Sequence, residues 1–85
     1  KVTSMQEAPL INARSLTRLA QAIRSLRKRR GLTQAELARS AGVSRQWLSG
    51  LENGGTHGLE VGLLMQVLDV MDASLMIRDD GDGHG

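Results

Sequence analysis

Within five residues the sequence carries three hydrogen-bonding side chains of different chemistry: Arg45, Gln46 and Ser49. A guanidinium donates two hydrogen bonds side by side, an amide donates and accepts together, and a hydroxyl does either. These groups pair with the edges of nucleotide bases, where Arg matches guanine and Gln matches adenine. The stretch therefore has the chemistry of a surface that binds a flat, polar partner.

A short helix would carry these side chains on one face. We predict a helix from Arg45 to about Glu52, with Ser44 as its N-cap residue. At about 100° per residue, Leu48 and Leu51 define the buried side of this helix. Arg45 and Trp47 then lie on its flanks. The residues that point away from the core are Gln46, Ser49, Gly50 and Asn53.

A second predicted helix comes directly before this one. In the stretch "TQAE", Thr33 and Glu36 fit the capping box, so we expect a helix over 34–40. Gly42 and Val43 form the turn between the two helices. Two capped helices joined by a few residues match the helix-turn-helix pattern, in which the second helix enters the major groove of DNA.

The rest of the chain divides into five further segments. Residues 1–14 are expected to be an arm, and a first helix begins near Ser15 with Leu16, Leu19 and Leu26 on its buried stripe. A fourth amphipathic helix is predicted over 59–71 and a short strand over 74–78. The predicted domain covers 15–79, and 80–85 form a flexible tail. The fold class is an all-α bundle of four to five helices with one short C-terminal strand.

Charge is unevenly placed along the chain. The first 50 residues hold ten Lys or Arg and two acids, a net charge of +8, whereas residues 51–85 hold one Arg and seven acids, a net charge of −6. Such asymmetry favours a polyanionic partner for the first half. Four basic residues at 27–30 exceed what capping of the first helix needs. A solvated cationic face without a ligand is the alternative.

Several kinds of site and location are not expected. The chain has no cysteine, no catalytic Ser/His/Asp set with a supporting motif and no phosphate-binding glycine loop. We therefore predict that it is not an enzyme and has no catalytic residue, no metal site and no cofactor. The longest apolar run is far below the roughly 20 residues of a membrane span. The expected location is the cytoplasm, away from the membrane.

Between Ile23 and Gly54 the stretch "IRSLRKRRGLTQAELARSAGVSRQWLSGLENG" resembles the lambda-repressor-like, Cro/C1-type (XRE) helix-turn-helix family. The resemblance covers about 15–71. The first helix and the late stretch "DASLMIRD" are similar to HipB-type antitoxins, the partners of HipA-type serine/threonine kinase toxins. The resemblance implies a lambda-repressor-like fold. It also implies a nucleoid-associated bacterial repressor that binds double-stranded DNA, represses its own operon and neutralises a kinase toxin.

The resemblance also implies roles for individual residues. Base readout falls to Arg45, Gln46 and Ser49, and backbone contacts to Gln34 and the region of Asn53. Helix N-termini independently favour phosphate beside Thr33, Gln34 and Ser44. The family often has a longer polar residue where this chain has Gly50, so we expect close approach of the backbone to the groove there. The indole N–H of Trp47 reaches a phosphate, or Trp47 is a plain core-edge residue.

The predicted strand needs a partner, because two-stranded ribbons are marginal without packing. Within the chain only residues 1–5 compete for this role. A second copy would supply the partner if the two segments paired across a two-fold axis, as HipB-like proteins are understood to do. The operator would then be a palindrome. A back-folded or disordered tail is the alternative. The dimer strand comprises Ser74, Leu75, Met76, Ile77 and Arg78.

Two other functions stay open at this stage. A phage-type repressor or a restriction-modification controller would use the same DNA-binding surface without a toxin. A protein-interaction adaptor would keep the scaffold but no longer bind DNA, since a fold does not determine a function. The basic cluster and the polar face of the third helix argue against the adaptor.

Overall fold

The computed structural model describes residues 10–54 and 58–81 of the 85-residue chain. Four α-helices form within these ranges, which confirms the predicted all-α helix-turn-helix class. The predicted strand is not formed there. Residues 1–9 of the predicted arm and 82–85 of the predicted tail lie outside the described residues. The helices are α1 (Leu16–Arg29), α2 (Gln34–Ala41), α3 (Arg45–Glu52) and α4 (Val61–Val70).

Side-chain caps explain where the first three helices begin. The Ser15 hydroxyl accepts a hydrogen bond from the Arg18 amide at the start of α1. The capping box of α2 is complete: the Thr33 hydroxyl accepts from the Glu36 amide at 3.0 Å, and the Glu36 carboxylate accepts from the Thr33 amide at 2.8 Å. Ser44 caps α3 in the same way. Each cap satisfies an amide that the helix itself leaves unpaired.

A left-handed residue follows each helix of the described ranges, at Gly31, Gly42, Gly54 and Asp72. Gly42 follows α2 at φ 73°, a conformation that glycine adopts without steric cost, and it makes the turn into α3. Asp72 follows α4 at φ 55°, two residues after the last residue of the helix. Asp is among the few other residues that tolerate this region. The predicted ends of α2 and α4 are therefore each within one residue of the observed ends.

The start of α4 differs from the prediction. The helix begins at Val61 rather than at residue 59, and its N-cap residue Glu60 makes no capping hydrogen bond with its side chain. Leu59 is still packed against the core, from an extended position before the helix. The prediction placed Leu59 in the helix because it continues the apolar spacing. A loop residue that packs against the core gives the same apolar pattern in the sequence.

The core lies where α2 packs against both α3 and α4, while α1 packs against α3. Leu16, expected on the buried stripe of α1, is 48% exposed. None of the helices in the described ranges is both long and apolar enough to cross a membrane. The most deeply buried large side chains are Ile23, Leu37, Leu48, Val67 and Met71.

Residues 74–78 form no strand in this single chain. A strand is defined by backbone hydrogen bonds to a neighbour, and the described part of the chain places no neighbouring strand beside them. The segment leaves apolar side chains in solvent: Met76 is 70% exposed and Ile77 is 94% exposed. Its pairing with a second copy stays a prediction.

Candidate nucleic-acid interface

The outer face of α3 is polar and open. Leu48 and Leu51 are 0% and 3% exposed, whereas Arg45 and Gln46 are exposed and Ser49 is half-buried. This burial agrees with the orientation expected from helix geometry. The helix presents an amide and a hydroxyl on the side away from the core, with an exposed guanidinium on the flank. Base readout by these three side chains stays a prediction.

The C-terminal end of the same face carries a second polar group. The Asn53 amide donates to the Ser49 hydroxyl at 3.5 Å, and Asn53 is exposed. Gly50 lies beside this pair and is half-buried. Because Gly50 has no side chain, the helix surface is lower there than on either side. Hydrogen-bonding residues therefore flank Gly50, the position where we expect the helix backbone to approach the groove closely.

The N-termini of α2 and α3 are suited to anions. The hydroxyls of Thr33 and Ser44 accept the capping hydrogen bonds, so each keeps its O–H to donate elsewhere. The first amides of both helices, beginning at Gln34 and Arg45, have no acceptor within their helix. A phosphate at either N-terminus would meet amide and hydroxyl donors together with the positive end of the helix dipole.

A buried ion pair joins α1 to the end of α3, and the sequence did not predict it. Arg27 on α1 donates to Glu52 at the end of α3 twice, from Nε to Oε2 at 2.7 Å and from Nη2 to Oε1 at 3.0 Å. Arg27 Nη1 also donates to the Leu32 carbonyl oxygen at 2.8 Å. Gln34 Nε2 adds a further hydrogen bond to Glu52 Oε1 at 3.1 Å. This cluster joins α1, α2 and α3 at one point.

Both side chains of this pair are buried. The Arg27 side chain is 11% exposed and the Glu52 side chain only 1%. The hydrogen bond to Glu52 raises the pKa of Arg27 above its usual value, and the nearby negative charge adds to this effect, although burial opposes it. A helical wheel contains a signal for the pair: Arg27 follows the buried Ile23 by one turn, and Glu52 follows the buried Leu48 by one turn.

The basic cluster at 27–30 has two structural members. Arg27 is committed to Glu52, and Arg30 Nε donates to the Met71 carbonyl oxygen at 3.0 Å, at the C-terminal end of α4. Lys28 and Arg29 are exposed. The cluster is therefore not a patch of four free cations, and it argues against a non-DNA-binding adaptor less strongly than the sequence suggested.

Trp47 lies at the boundary between the core and this face. It is half-buried and packs against the hydrophobic core. Its backbone amide donates to the Ser44 hydroxyl at 3.0 Å, which holds the first turn of α3. The packing role of Trp47 is thus observed, while its predicted phosphate contact stays a prediction.

A second surface feature lies near the end of the described chain. A groove of about 1180 Å³ runs over α1 between residues 10–14 and 72–80. The residues that line it include Leu19, Leu26 and Met76. The groove and the exposed residues of 74–78 together form an apolar surface that is separate from the face of α3.

Known proteins resemble the chain in both sequence and structure. A helix-turn-helix domain family model matches residues 18–75. A solved structure of a HipB–O4 20mer complex is 26% identical, with a TM-score of 0.74 over 85% of this chain and 100% of that chain. A search of curated proteins found no match.

Two other solved structures are similar over a shorter part of the chain. The N-terminal DNA-binding domain of SinR from Bacillus subtilis is 34% identical, with a TM-score of 0.63 over 66% of this chain and 81% of that one. The restriction-modification controller protein C.AhdI from Aeromonas hydrophila is 27% identical, with a TM-score of 0.65 over 69% of this chain and 88% of that chain. This chain also matches a structure of a SinR–SinI complex, where it covers 54% of the matched chain.

Proposed function

Because the chain belongs to the Cro/C1-type (XRE) helix-turn-helix family, we propose that it is a sequence-specific transcriptional repressor that binds double-stranded DNA. The observation that carries this proposal is the outer face of α3. There Gln46 and Ser49 lie opposite the buried Leu48 and Leu51, and Arg45 is exposed on the flank. The family is one of DNA-binding regulators rather than enzymes.

In the proposed complex α3 lies in the major groove. Arg45 donates to guanine O6 and N7, Gln46 pairs with the N6 and N7 edge of adenine, and Ser49 makes one further contact. Gly50 lets the helix backbone approach the base edges, since any side chain at this position would keep it further away. These contacts specify the sequence that is bound.

Contacts to the DNA backbone fix the position of α3. Phosphates bind at the N-termini of α2 and α3, where capping hydroxyls and unpaired amides are available. Contacts of this kind position a protein without reading sequence. The residues proposed for them are Thr33, Gln34, Ser44, Trp47 and Asn53.

The proposed functional unit is a homodimer. Residues 74–78 of two copies pair across a two-fold axis and cover the apolar side chains that the single chain leaves in solvent. The groove beside 10–14 gives the same surface additional apolar area. Two α3 helices about 34 Å apart would read a palindromic operator with half-sites one helical turn apart.

The biological role we propose is that of an antitoxin. The similarity to HipB extends over 85% of this chain, compared with 69% and 74% for two restriction-modification controllers. The partner would be a HipA-like serine/threonine kinase, and the protein would also repress its own operon in the bacterial cytoplasm. The acidic second half is available to contact this partner.

Two measurements test the proposal in order. Selection from a random duplex library should enrich a palindrome, and the affinity for it should fall steeply with salt because bound Lys and Arg displace counterions. No enrichment and no salt dependence would favour the adaptor.

Purification of the tagged protein from its own cells should then recover a kinase. A repressor that binds its operator but recovers no kinase would be of the phage or controller type.

A further inference from the structure

Arg30 connects the end of α1 with the end of α4. Its Nε donates a hydrogen bond to the Met71 carbonyl oxygen at 3.0 Å, across 41 positions of sequence. Otherwise α1 packs mainly against α3, and α4 packs mainly against α2. The hydrogen bond therefore ties the helix that precedes residues 74–78 to the helix that packs against α3.

The turn after α4 is held by further hydrogen bonds. The amides of Asp72 and Ala73 donate back to carbonyl oxygens of α4 at 3.0 and 2.9 Å, and Asp72 is left-handed at φ 55°. These bonds are those of a Schellman motif, which fixes the path of the first residues after a helix. Among the described residues, the Met71 carbonyl oxygen accepts its hydrogen bond from Arg30. The motif shapes the turn, and Arg30 places the turn against α1.

Residues 71–73 join the two parts of the proposed repressor. Ala73 still packs against the core, whereas every residue of 74–78 is exposed. On one side of this junction lies the bundle with α3, which we propose reads the bases. On the other side lies the segment that we propose pairs with a second copy. A change of angle at the junction would therefore move α3 relative to the two-fold axis of the dimer.

DNA geometry gives the size of movement that matters. A helical turn of about 34 Å holds about 10 base pairs, so one added base pair moves two half-sites about 3.4 Å further apart. Each protomer would have to move its α3 by about half of that distance, roughly 1.7 Å. A comparable movement at the junction would break the hydrogen bond of 3.0 Å from Arg30, since such bonds are lost beyond about 3.5 Å.

We propose that Arg30 is a positioning residue that fixes the half-site spacing the dimer accepts. It contacts neither the bases nor the second copy. It holds the last turn of α4 against α1, so that the paired segments and the two α3 helices keep one relative orientation. This inference rests on the proposed function, because it assigns a determinant of operator choice to the proposed dimer.

Two neutral substitutions separate the hydrogen bond from the charge of Arg30. Arg30→Gln keeps an N–H donor at the same number of bonds from Cα as Arg Nε, whereas Arg30→Met has a side chain of similar length without a donor. Arg29→Met is the matched control for the lost charge, because Arg29 is exposed at the same end of α1. Thermal unfolding of each protein reports whether it is folded.

The assay measures affinity for duplexes that differ in spacer length. The probes are the selected palindrome, the same half-sites with one base pair added or removed between them, and a single half-site. The unaltered protein, Arg30→Gln and Arg29→Met should lose about tenfold or more in affinity with either altered spacer, because the DNA must deform to fit. Arg30→Met should lose less than about threefold with the altered spacers, since the dimer adjusts instead of the DNA. All four proteins should bind the single half-site equally.

The outcomes distinguish the positioning role from the proposed function. Equal spacer dependence of Arg30→Met and Arg30→Gln would overturn the positioning role. A monomeric Arg30→Met protein in analytical ultracentrifugation would overturn it too, since Arg30 would then act on pairing itself. If the unaltered protein selects no palindrome, or is a monomer, the proposed function fails instead.

Relaxation of arginine ¹⁵Nε in the unaltered protein covers the case in which Arg30→Met does not fold. In the free dimer, the Nε–H of Arg30 should be ordered on the picosecond-to-nanosecond scale, whereas that of the exposed Arg29 should be mobile. Equal mobility of the two groups would show that the Met71 carbonyl oxygen does not hold Arg30, and the proposal would then be wrong.

Discussion

Replacing Glu52 with alanine should destabilise the protein far more than replacing Asp80, although their ion pairs have nearly equal lengths. The Arg27 Nε to Glu52 Oε2 distance is 2.7 Å with side chains 11% and 1% exposed. The Arg78 Nε to Asp80 Oδ1 distance is 2.6 Å, but the side chains are 70% and 42% exposed. Burial rather than distance should decide the difference in unfolding free energy.

The size of the effect follows from what each change leaves behind. Glu52→Ala leaves a buried guanidinium without its counter-charge and removes the acceptor of Gln34, which typically costs about 3–5 kcal/mol. The exposed pair of Asp80 is worth less than about 1 kcal/mol, because water and salt screen it. At roughly 0.05–0.15 kcal/mol per residue, the larger loss is a major share of the total stability of a chain of this size.

Thermal and urea unfolding followed by circular dichroism measure these losses. Glu52→Ala should lower the Tm by more than about 10 °C, whereas Asp80→Ala should shift it by less than about 5 °C. Arg27→Met together with Glu52→Met should recover most of the loss, since no buried charge then remains unpaired. Similar losses at Glu52 and Asp80, or a double variant less stable than Glu52→Ala, would refute this reasoning.

Three further predictions concern other parts of the chain. The backbone and side-chain hydrogen bonds with Thr33 hold the pKa of Glu36 below its usual 4.5, so this carboxylate stabilises the fold above that pH and loses its effect as the pH falls. Glu36→Gln should flatten the acid side of the urea stability curve, and an unchanged slope would contradict this. Gly50→Glu should reduce operator affinity more than tenfold while changing the unfolding free energy by only about 1 kcal/mol. A loss of unfolding free energy as large as the loss of binding free energy would contradict the close approach of Gly50 to the groove. Ile77→Asp should produce a monomer in analytical ultracentrifugation, whereas Val61→Asp on the exposed side of α4 should leave a dimer; a dimeric Ile77→Asp protein would show that pairing does not use this segment.

Local chemistry is what made the helix boundaries predictable. A cap depends on residues at most three positions apart, so Thr33 and Ser44 could be assigned from neighbouring residues, while Ser15 was one of two candidates for α1 together with Thr17. The orientation of α3 followed for the same reason, since Leu48 and Leu51 are one helical turn apart. The start of α4 was missed where no side-chain cap exists, at Glu60.

Contacts between distant residues were not predictable in this way. Arg27 and Glu52 are 25 positions apart, and Arg30 and Met71 are 41 apart. In sequence, Arg27 and Arg30 look like their neighbours Lys28 and Arg29, because adjacent basic residues have the same composition whichever way they point. The helical wheel places Arg27 one turn after the buried Ile23, but only the packing of α1 against the rest of the bundle identifies the partners of Arg27 and Arg30.

The segment 74–78 shows a different limit. Its alternating apolar residues indicate a strand, but a strand forms only where a second strand supplies hydrogen bonds. In the single chain these residues stay exposed and unpaired with another strand of the described ranges. Whether the pattern is realised depends on a second molecule.

The central claim is that the outer face of α3 reads DNA sequence. The most direct measurement compares affinities for the selected palindrome and for a scrambled duplex, using Arg45→Ala with Gln46→Ala. The matched control is Gln21→Ala with Arg24→Ala, which removes the same two side-chain types from the exposed side of α1. We expect the first variant to lose more than about a hundredfold of its preference for the palindrome, since each bidentate pair contributes about 1–3 kcal/mol. The control should keep that preference. An unchanged preference in the α3 variant would contradict the account.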